Sequence, residues 1–405
     1  MLRIAAFVIF VLLAVLEVIQ WSPRYYALGF LLLLLAVIAA ASLVYKRDEK
    51  RDFKALWVVL KAVAMTGILL AAALPAIVFP QRKLLEVTGQ YQVATAEYAY
   101  TDTSRIETYT DTGENRKLNV AFWYPWDYDQ SSPGGCPLVV FSHGSMGIKT
   151  SNESLYRELA SHGYVVCSID HTYQCLYTTD ENGHTKWIDM GFMRELRAED
   201  AKSDRRQSVA YYQKWMAVRT GDIQFTIDQI LAEAKKDDAE TAYRLIDARK
   251  IGVMGHSLGG SAVLGVGRLR DDVGAVMALE SPFLCDIEGV EDGEFVWNGA
   301  TYPAAVLNIY SDSTWSHLDQ WPQYAANQAL LSDTGANAFN VHISGTGHLG
   351  LTDLSLTSPL LTRLLDGRRA EISAEDCLKT INRISLEFFD CYLKGRGEFV
   401  SDGVY

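Results

Sequence analysis

The 405-residue sequence predicts an α/β architecture, a mostly parallel sheet covered by helices on both faces, and three observations carry that expectation. From about Arg116 onward, apolar runs of strand length alternate with longer stretches of helical periodicity. Most of the runs are continuously apolar, as strands buried on both faces require. One of them, Ile251-Gly252-Val253-Met254, leads into a glycine-flanked serine and then a small-residue helix.

In chain order, the strand-like runs are Leu118–Trp123, Leu138–Phe141, Val165–Ile169, Ile251–Met254, Ala275–Leu279, Ala305–Tyr310 and Phe339–Ile343. Helical patterns lie between them near 152–161, 217–234, 258–268, 320–332 and 373–394. Residues 81–115 are polar and rich in Tyr and Thr, and they read as a stalk or an edge strand. The stretch 172–213 breaks the alternation with a cluster of Trp187, Ile188, Met190, Phe192 and Met193. Such an excursion is expected to form a cap over the site, so the domain expected over 116–405 carries a cap-like insertion.

The segment Gly255-His256-Ser257-Leu258-Gly259-Gly260 has the G-x-S-x-G pattern of a nucleophile elbow, which points to an α/β-hydrolase fold. The turn from strand to helix is so tight that side chains two residues before or after the serine would collide. It lifts the Ser257 hydroxyl above the sheet and sets the Leu258 N–H at a helix N-terminus, facing a developing oxyanion.

A nucleophilic serine needs a base, an acid to orient that base, and oxyanion donors. Three histidines follow Ser257: His317, His342 and His348. His342 lies inside an alternating strand pattern and His317 on a connecting loop. His348 sits in Gly345-Thr346-Gly347-His348-Leu349-Gly350, a glycine-rich loop after a strand, where this fold carries its base. Two carboxylates fit the acid. Asp312 ends the run Ala305–Ser311, the usual position, and its short side chain suits a group close beneath the histidine; Glu280, at the end of the preceding strand, is the alternative. The loop Ser142-His143-Gly144-Ser145-Met146-Gly147 follows the run Pro137–Phe141, and its glycines allow the Ser145 N–H to serve as the second oxyanion donor. His143 and His256 read as loop-pinning and packing residues. Met146, Trp187 and Phe192 are the candidate substrate contacts.

Pro137 to Gly147, Glu158 to Val166, Gly255 to Gly260 and the upstream Phe122-Trp123-Tyr124-Pro125 resemble the plasma-type platelet-activating-factor acetylhydrolases. Bacterial cutinase-like lipases are similar in the same segments. The resemblance covers roughly residues 115 to 395 and implies a serine esterase without a metal or other cofactor. In the acetylhydrolases the acid follows the strand after the elbow, which corresponds to Glu280 and is an aspartate there. In the lipases it follows the next strand, which corresponds to Asp312. The region from Ser168 to Tyr212 matches neither group closely, so no substrate preference follows from it.

The N-terminal 80 residues are of another kind. Three apolar stretches, 5–21, 27–45 and 55–79, approach membrane-spanning length and predict three transmembrane helices. Five basic residues lie within 46–54, against Arg24 alone in the preceding connection. By the positive-inside rule this loop is cytoplasmic, which makes the chain a multi-pass membrane protein with its catalytic domain outside the cytoplasm. Residues 1–80 carry a net charge of +4 and residues 81–405 one of −16. An acidic domain of that size is not expected to bind nucleic acid. No nucleotide-binding glycine loop or metal-ligand spacing is evident. The six cysteines form no C-x-x-C pair and are expected to be free thiols, with Cys175–Cys285 as the alternative pairing. The combined expectation is a membrane-anchored hydrolase of lipid or short-chain carboxylic esters. A serine peptidase on the same fold, a non-catalytic binding or regulatory protein, and a transport or sensing module are the alternatives.

Overall fold

The computed structural model describes residues 1–45, 54–129, 134–180, 182–332 and 337–405. Two compact units emerge, one formed by Met1–Leu84 with Leu354–Leu365, the other by Leu85–Asp353 with Asp366–Tyr405.

In the first unit, two helices are long and apolar enough to cross a membrane: Pro23–Tyr45, whose first turn is a 3-10 turn, and Ala55–Val78. Their side chains are largely uncovered, and Ala55–Val78 buries no residue at all. The expected third span over 5–21 is corrected. That helix is Leu2–Val15, 14 residues and so ~21 Å long, against a hydrocarbon core of ~30 Å. It stops because Glu17 adopts a left-handed conformation, φ 56°. The N–H groups of Leu16 and Glu17 turn back onto the carbonyls of Leu12 and Ala14, closing the helix end. Most of the basic loop, residues 46–53, lies outside the described residues.

The second unit is built on a nine-stranded sheet in the order Val93–Ile106, Asn115–Pro125, Val165–Asp170, Cys136–Ser142, Ile246–His256, Val273–Leu279, Ala305–Ser311, Ala338–Ile343 and Gly403–Val404. Pairing is antiparallel between the first three and parallel from Val165–Asp170 onward. All seven strands expected from sequence lie within these segments. Part of the polar 81–115 stretch is an edge strand, paired from Val93 against Pro125 to Ile106 against Asn115. The central strands are buried along their whole length, which explains their continuous apolar runs.

Helices cover both faces. Ile251 and Val253 join Ile223 and Ile227 of helix Arg205–Glu233 and Val263 of helix Leu258–Leu269 in one core. Gly252, pointing the other way, lies against Phe389 and Leu393 of helix Ala374–Lys394. This last helix is bounded as its sequence suggests: the Ser373 side chain accepts the Asp376 N–H, and Gly395 closes it at φ 64°. The helix expected over 217–234 begins instead at Arg205, with the Asp204 side chain accepting the Gln207 N–H. Ser208, Val209, Tyr212 and Trp215 extend its buried stripe N-terminally, so the last part of the expected insertion, 205–213, belongs to this helix. What remains of the excursion is a short hairpin, Tyr177–Thr179 with Thr185–Trp187, and the helix Met190–Ala198. All six cysteines are free.

Backbones approach closely at Gly259, where an added Cβ would run into the carbonyls of Ser142 and His143. Gly259→Ala is expected to cost about 3 kcal/mol of unfolding free energy in urea titrations, as overpacking against rigid backbone does. Gly274→Ala, whose added Cβ would meet Leu393 at an ordinary 3.5 Å, should change stability little.

Candidate active site

Ser257 stands between the strand Ile246–His256 and the helix Leu258–Leu269, with φ 54° and ψ −126°. For a side chain with a Cβ this region is strained, and it persists only where the surroundings over-determine it. They do so here. The Ser257 N–H donates to the Leu279 carbonyl of the neighbouring strand at 2.8 Å, and its carbonyl accepts the Ser261 N–H at 3.1 Å. Side chains at Gly255, Gly259 or Gly260 would each collide, with Gly259–Gly260 backbone, with the Ser142–His143 loop and with Ser281 respectively. Leu258 opens the helix, so its N–H has no intrahelical acceptor.

The carboxylate facing His348 is Glu280. Its Oε1 lies 3.8 Å from the imidazole Nδ1, loose for a hydrogen bond but within ion-pair range. Glu280 is fully buried and also has a positive φ, 54°, which turns it off the end of its strand. Its Oε2 accepts the Ser311 N–H and its Oε1 the Ser311 and Thr314 hydroxyls. Burial alone would raise its pKa, but pairing with His348 and these hydroxyl donors outweigh it and hold the carboxyl down to about 2. His348 responds in the opposite sense. Burial disfavours its charged form, yet Glu280 overcomes that and raises its pKa above the ordinary value.

Asp312, the acid favoured from sequence, is committed elsewhere. It opens a short helical turn, Asp312–Trp315, and its carboxylate accepts from the Gly345 N–H at 3.0 Å and Arg368 Nη2 at 2.7 Å, with His342 Nε2 2.8 Å away. The His342 ring stacks on Trp315, 4.7 Å between centroids and 8° from parallel. This second Asp–His pair braces the start of the loop that carries His348. The third histidine, His317, is half-buried and stacks on Trp321.

The oxyanion loop runs along the N-terminal end of the elbow helix. His143 is buried, its Nδ1 donates to the Gly144 carbonyl at 2.6 Å, and burial holds its pKa well below the ordinary value. His256 is equally buried, with Nε2 3.1 Å from the His348 carbonyl and its ring 4.5 Å from the His348 ring. Burial, aided by His348, pushes its pKa down to about 3 and keeps it neutral. Ser145 is half-buried on the loop that passes the elbow.

Residues 88–402 match the family model described as platelet-activating factor acetylhydrolase, isoform II. The chain belongs to this family. Among curated members, the platelet-activating factor acetylhydrolase of Gallus gallus is 23% identical over 283 residues, covering 65% of this chain and 63% of that protein. That of Canis lupus familiaris is 24% identical over 283 residues, 65% of this chain and 58% of that protein. The matched segment thus spans about three-fifths of these relatives. Among solved structures, a ferulic acid esterase from Streptomyces cinnamoneus superimposes with a TM-score of 0.57 at 22% identity, covering 78% of this chain and 94% of that one. That likeness establishes the α/β-hydrolase fold.

The three expected substrate contacts separate within this family member. Met146, beside Ser145, is about half exposed. Trp187 is exposed on the hairpin and packs against Tyr177. Phe192 is corrected: it is fully buried, edge-on to Tyr109 and Trp215, because Asp189 caps its helix and turns that face into the core. Sequence reasoning missed a buried polar cluster behind the oxyanion loop. Asp222 pairs with Arg116 and Arg105, and its Oδ2 lies 2.9 Å from His171 Nδ1; His171 Nε2 is 2.8 Å from the Ser142 hydroxyl. Arg219 lies beside it. The signal was present in the pattern, since Arg219 and Asp222 fall on the buried stripe of Trp215, Met216, Ile223 and Ile227. Among the described residues, His143, Asp170 and Cys175 place ligand-type atoms within 4.8 Å of one another. Asp170 is already held by Lys149 and Thr178, and the neighbouring Arg219 charge opposes a cation there.

Two measurements follow from this geometry. Glu280→Gln should lower kcat by about 10⁴-fold, the scale seen when a histidine loses its orienting carboxylate, whereas Asp312→Asn should keep most of its turnover. The pH profile gives an independent check. The base works only when neutral, so kcat/KM should fall as pH drops through a His348 pKa above the ordinary value of about 6.5. In Glu280→Gln the raising partner is gone while burial remains, so the acid limb of the residual activity should move to lower pH.

Proposed function

We propose that the protein is a serine esterase that cleaves lipid-like carboxylic esters through an acyl-enzyme. The observation that carries this reading is the strained Ser257 at the elbow, with a His348–Glu280 pair on adjoining loops. Ser257 attacks the ester carbonyl while His348 takes its proton, and Glu280 holds the imidazole tautomer and stabilises the imidazolium. The tetrahedral oxyanion is held by the N–H groups of Leu258 and Ser145. His348 then protonates the leaving alcohol, and water repeats the sequence to release the acid. Every group is supplied by the chain, and the mechanism requires no cofactor. Membership of the acetylhydrolase family supports a lipid-like ester with a short acyl group as the substrate class.

We further propose that Pro23–Tyr45 and Ala55–Val78 anchor the enzyme in a membrane. Support comes from their length, their uncovered apolar surfaces and the basic residues that separate them. With that basic loop cytoplasmic, the second helix delivers the catalytic domain to the opposite side whether or not Leu2–Val15 also enters the bilayer.

Ser257→Ala should abolish ester turnover and labelling by a fluorophosphonate while leaving the thermal transition in place, a loss of several orders of magnitude. Near-wild-type turnover in that variant would exclude the mechanism. For topology, protease added to intact cells should digest the chain beyond Pro80; complete protection until the membrane is breached would reverse the orientation.

A further inference from the structure

The largest fully buried side chain is that of Arg219, on the helix Arg205–Glu233. Burying a guanidinium is costly unless its donors are well satisfied, and buried arginines usually face carboxylates. Arg219 does not. Among the described residues, its hydrogen bonds all go to carbonyl and amide oxygens: Nη1 to the His143 carbonyl, Nη2 to the Gly144 carbonyl at 3.4 Å and the Gln174 carbonyl at 3.0 Å, and Nε to Gln174 Oε1 at 2.8 Å. Burial pulls its pKa down to about 10, which still leaves it charged at neutral pH.

Two of those carbonyls belong to consecutive peptide units of the oxyanion loop. A peptide unit is planar and trans, so its N–H points opposite to its C=O. The Gly144 carbonyl and the Ser145 N–H are the two ends of one such unit. A cation that draws the Gly144 carbonyl towards the interior therefore turns the Ser145 N–H outward and withdraws electron density from it. The same carbonyl also accepts from His143 Nδ1 at 2.6 Å and from the Gly147 N–H at 3.1 Å. Three donors thus converge on one oxygen, and the one bringing formal positive charge is Arg219.

We propose that Arg219 is a positioning residue for the oxyanion hole, orienting and polarising the Ser145 N–H from beneath the loop without touching substrate. This rests on the esterase reading above. Its role is confined to the step in which negative charge develops on the carbonyl oxygen, so ground-state ester binding is left largely alone.

The test compares wild type with Arg219→Gln, which removes the charge and the fork. Folding is checked by near-ultraviolet circular dichroism, and the readouts are KM, kcat and the inhibition constant of an alkyl trifluoromethyl ketone, whose hemiketal oxyanion occupies the hole. A fall of about 10²-fold in kcat is expected, the scale of a small misplacement at the reacting centre, with KM nearly unchanged and ketone affinity reduced in parallel. A folded variant with wild-type kcat and ketone affinity would overturn the proposal, as would a loss confined to KM. If Arg219→Gln does not fold, Gln174→Ala keeps the charge but removes its Nε anchor. A kcat loss matched by ketone affinity at constant KM then supports the role, and unchanged values of both overturn it. Failure of a fluorophosphonate to label Ser257 in the wild type would instead remove the esterase reading itself.

Discussion

The backbone conformation of Ser257 is the constraint on which the site depends. At φ 54° and ψ −126° the residue pays for its exposure with strain, and the surrounding structure must hold it. A hydrogen bond to the next strand fixes it from one side, and the first turn of the following helix fixes it from the other. Gly259 brings that helix against the Ser142–His143 backbone, so Ser257 and the loop that carries Ser145 are set by a single packing contact. A shift of either element would move both.

Around this contact the chain assembles two buried polar systems, one under His348 and one behind the loop that carries Ser145. On one side Glu280, held by Ser311 and Thr314, keeps negative charge beneath His348. On the other, the Arg219 guanidinium donates to the His143 and Gly144 carbonyls behind the loop that carries Ser145, while the nearby Arg105 and Arg116 are balanced by Asp102, Glu107 and Asp222. In the proposed mechanism a charge separation would develop here, imidazolium over the Glu280 carboxylate and oxyanion over N–H donors. The hydrogen bonds that hold Glu280 and Arg219 would then supply that stabilisation without reorganisation. The Asp312–His342–Arg368 group adds bracing at the base of the histidine loop.

Much of this was legible in the sequence because the determinants are local. Continuous apolar runs marked the central strands, and G-x-S-x-G marked the elbow, since glycine is required wherever backbones come into contact. His348 was legible from its glycine-rich loop. Its partner was not, because Asp312 and Glu280 both end strands and both could reach a histidine by chain position. Conformation separates them: Glu280 leaves its strand with a positive φ and turns inward, whereas Asp312 enters a helical turn and is drawn towards His342 and Arg368. The first apolar stretch misled for a similar reason, since composition does not show that Glu17 closes the helix. Phe192 misled because an apolar residue in an insertion serves equally well as pocket wall or core.

By itself, the sequence determined the α/β layering, the strand order along the chain, the serine elbow, the glycine-rich histidine loop and the apolar character of the N-terminal segments, all properties encoded within windows of a few residues. Only the tertiary structure decided which carboxylate faces the base, where the first helix ends, which side chains of the insertion are buried, and what stands behind the oxyanion loop. Apart from the local closure at Glu17, those outcomes depend on groups far apart in the chain meeting in a low-dielectric interior, where hydrogen-bond geometry and desolvation choose among residues that chain position leaves equivalent.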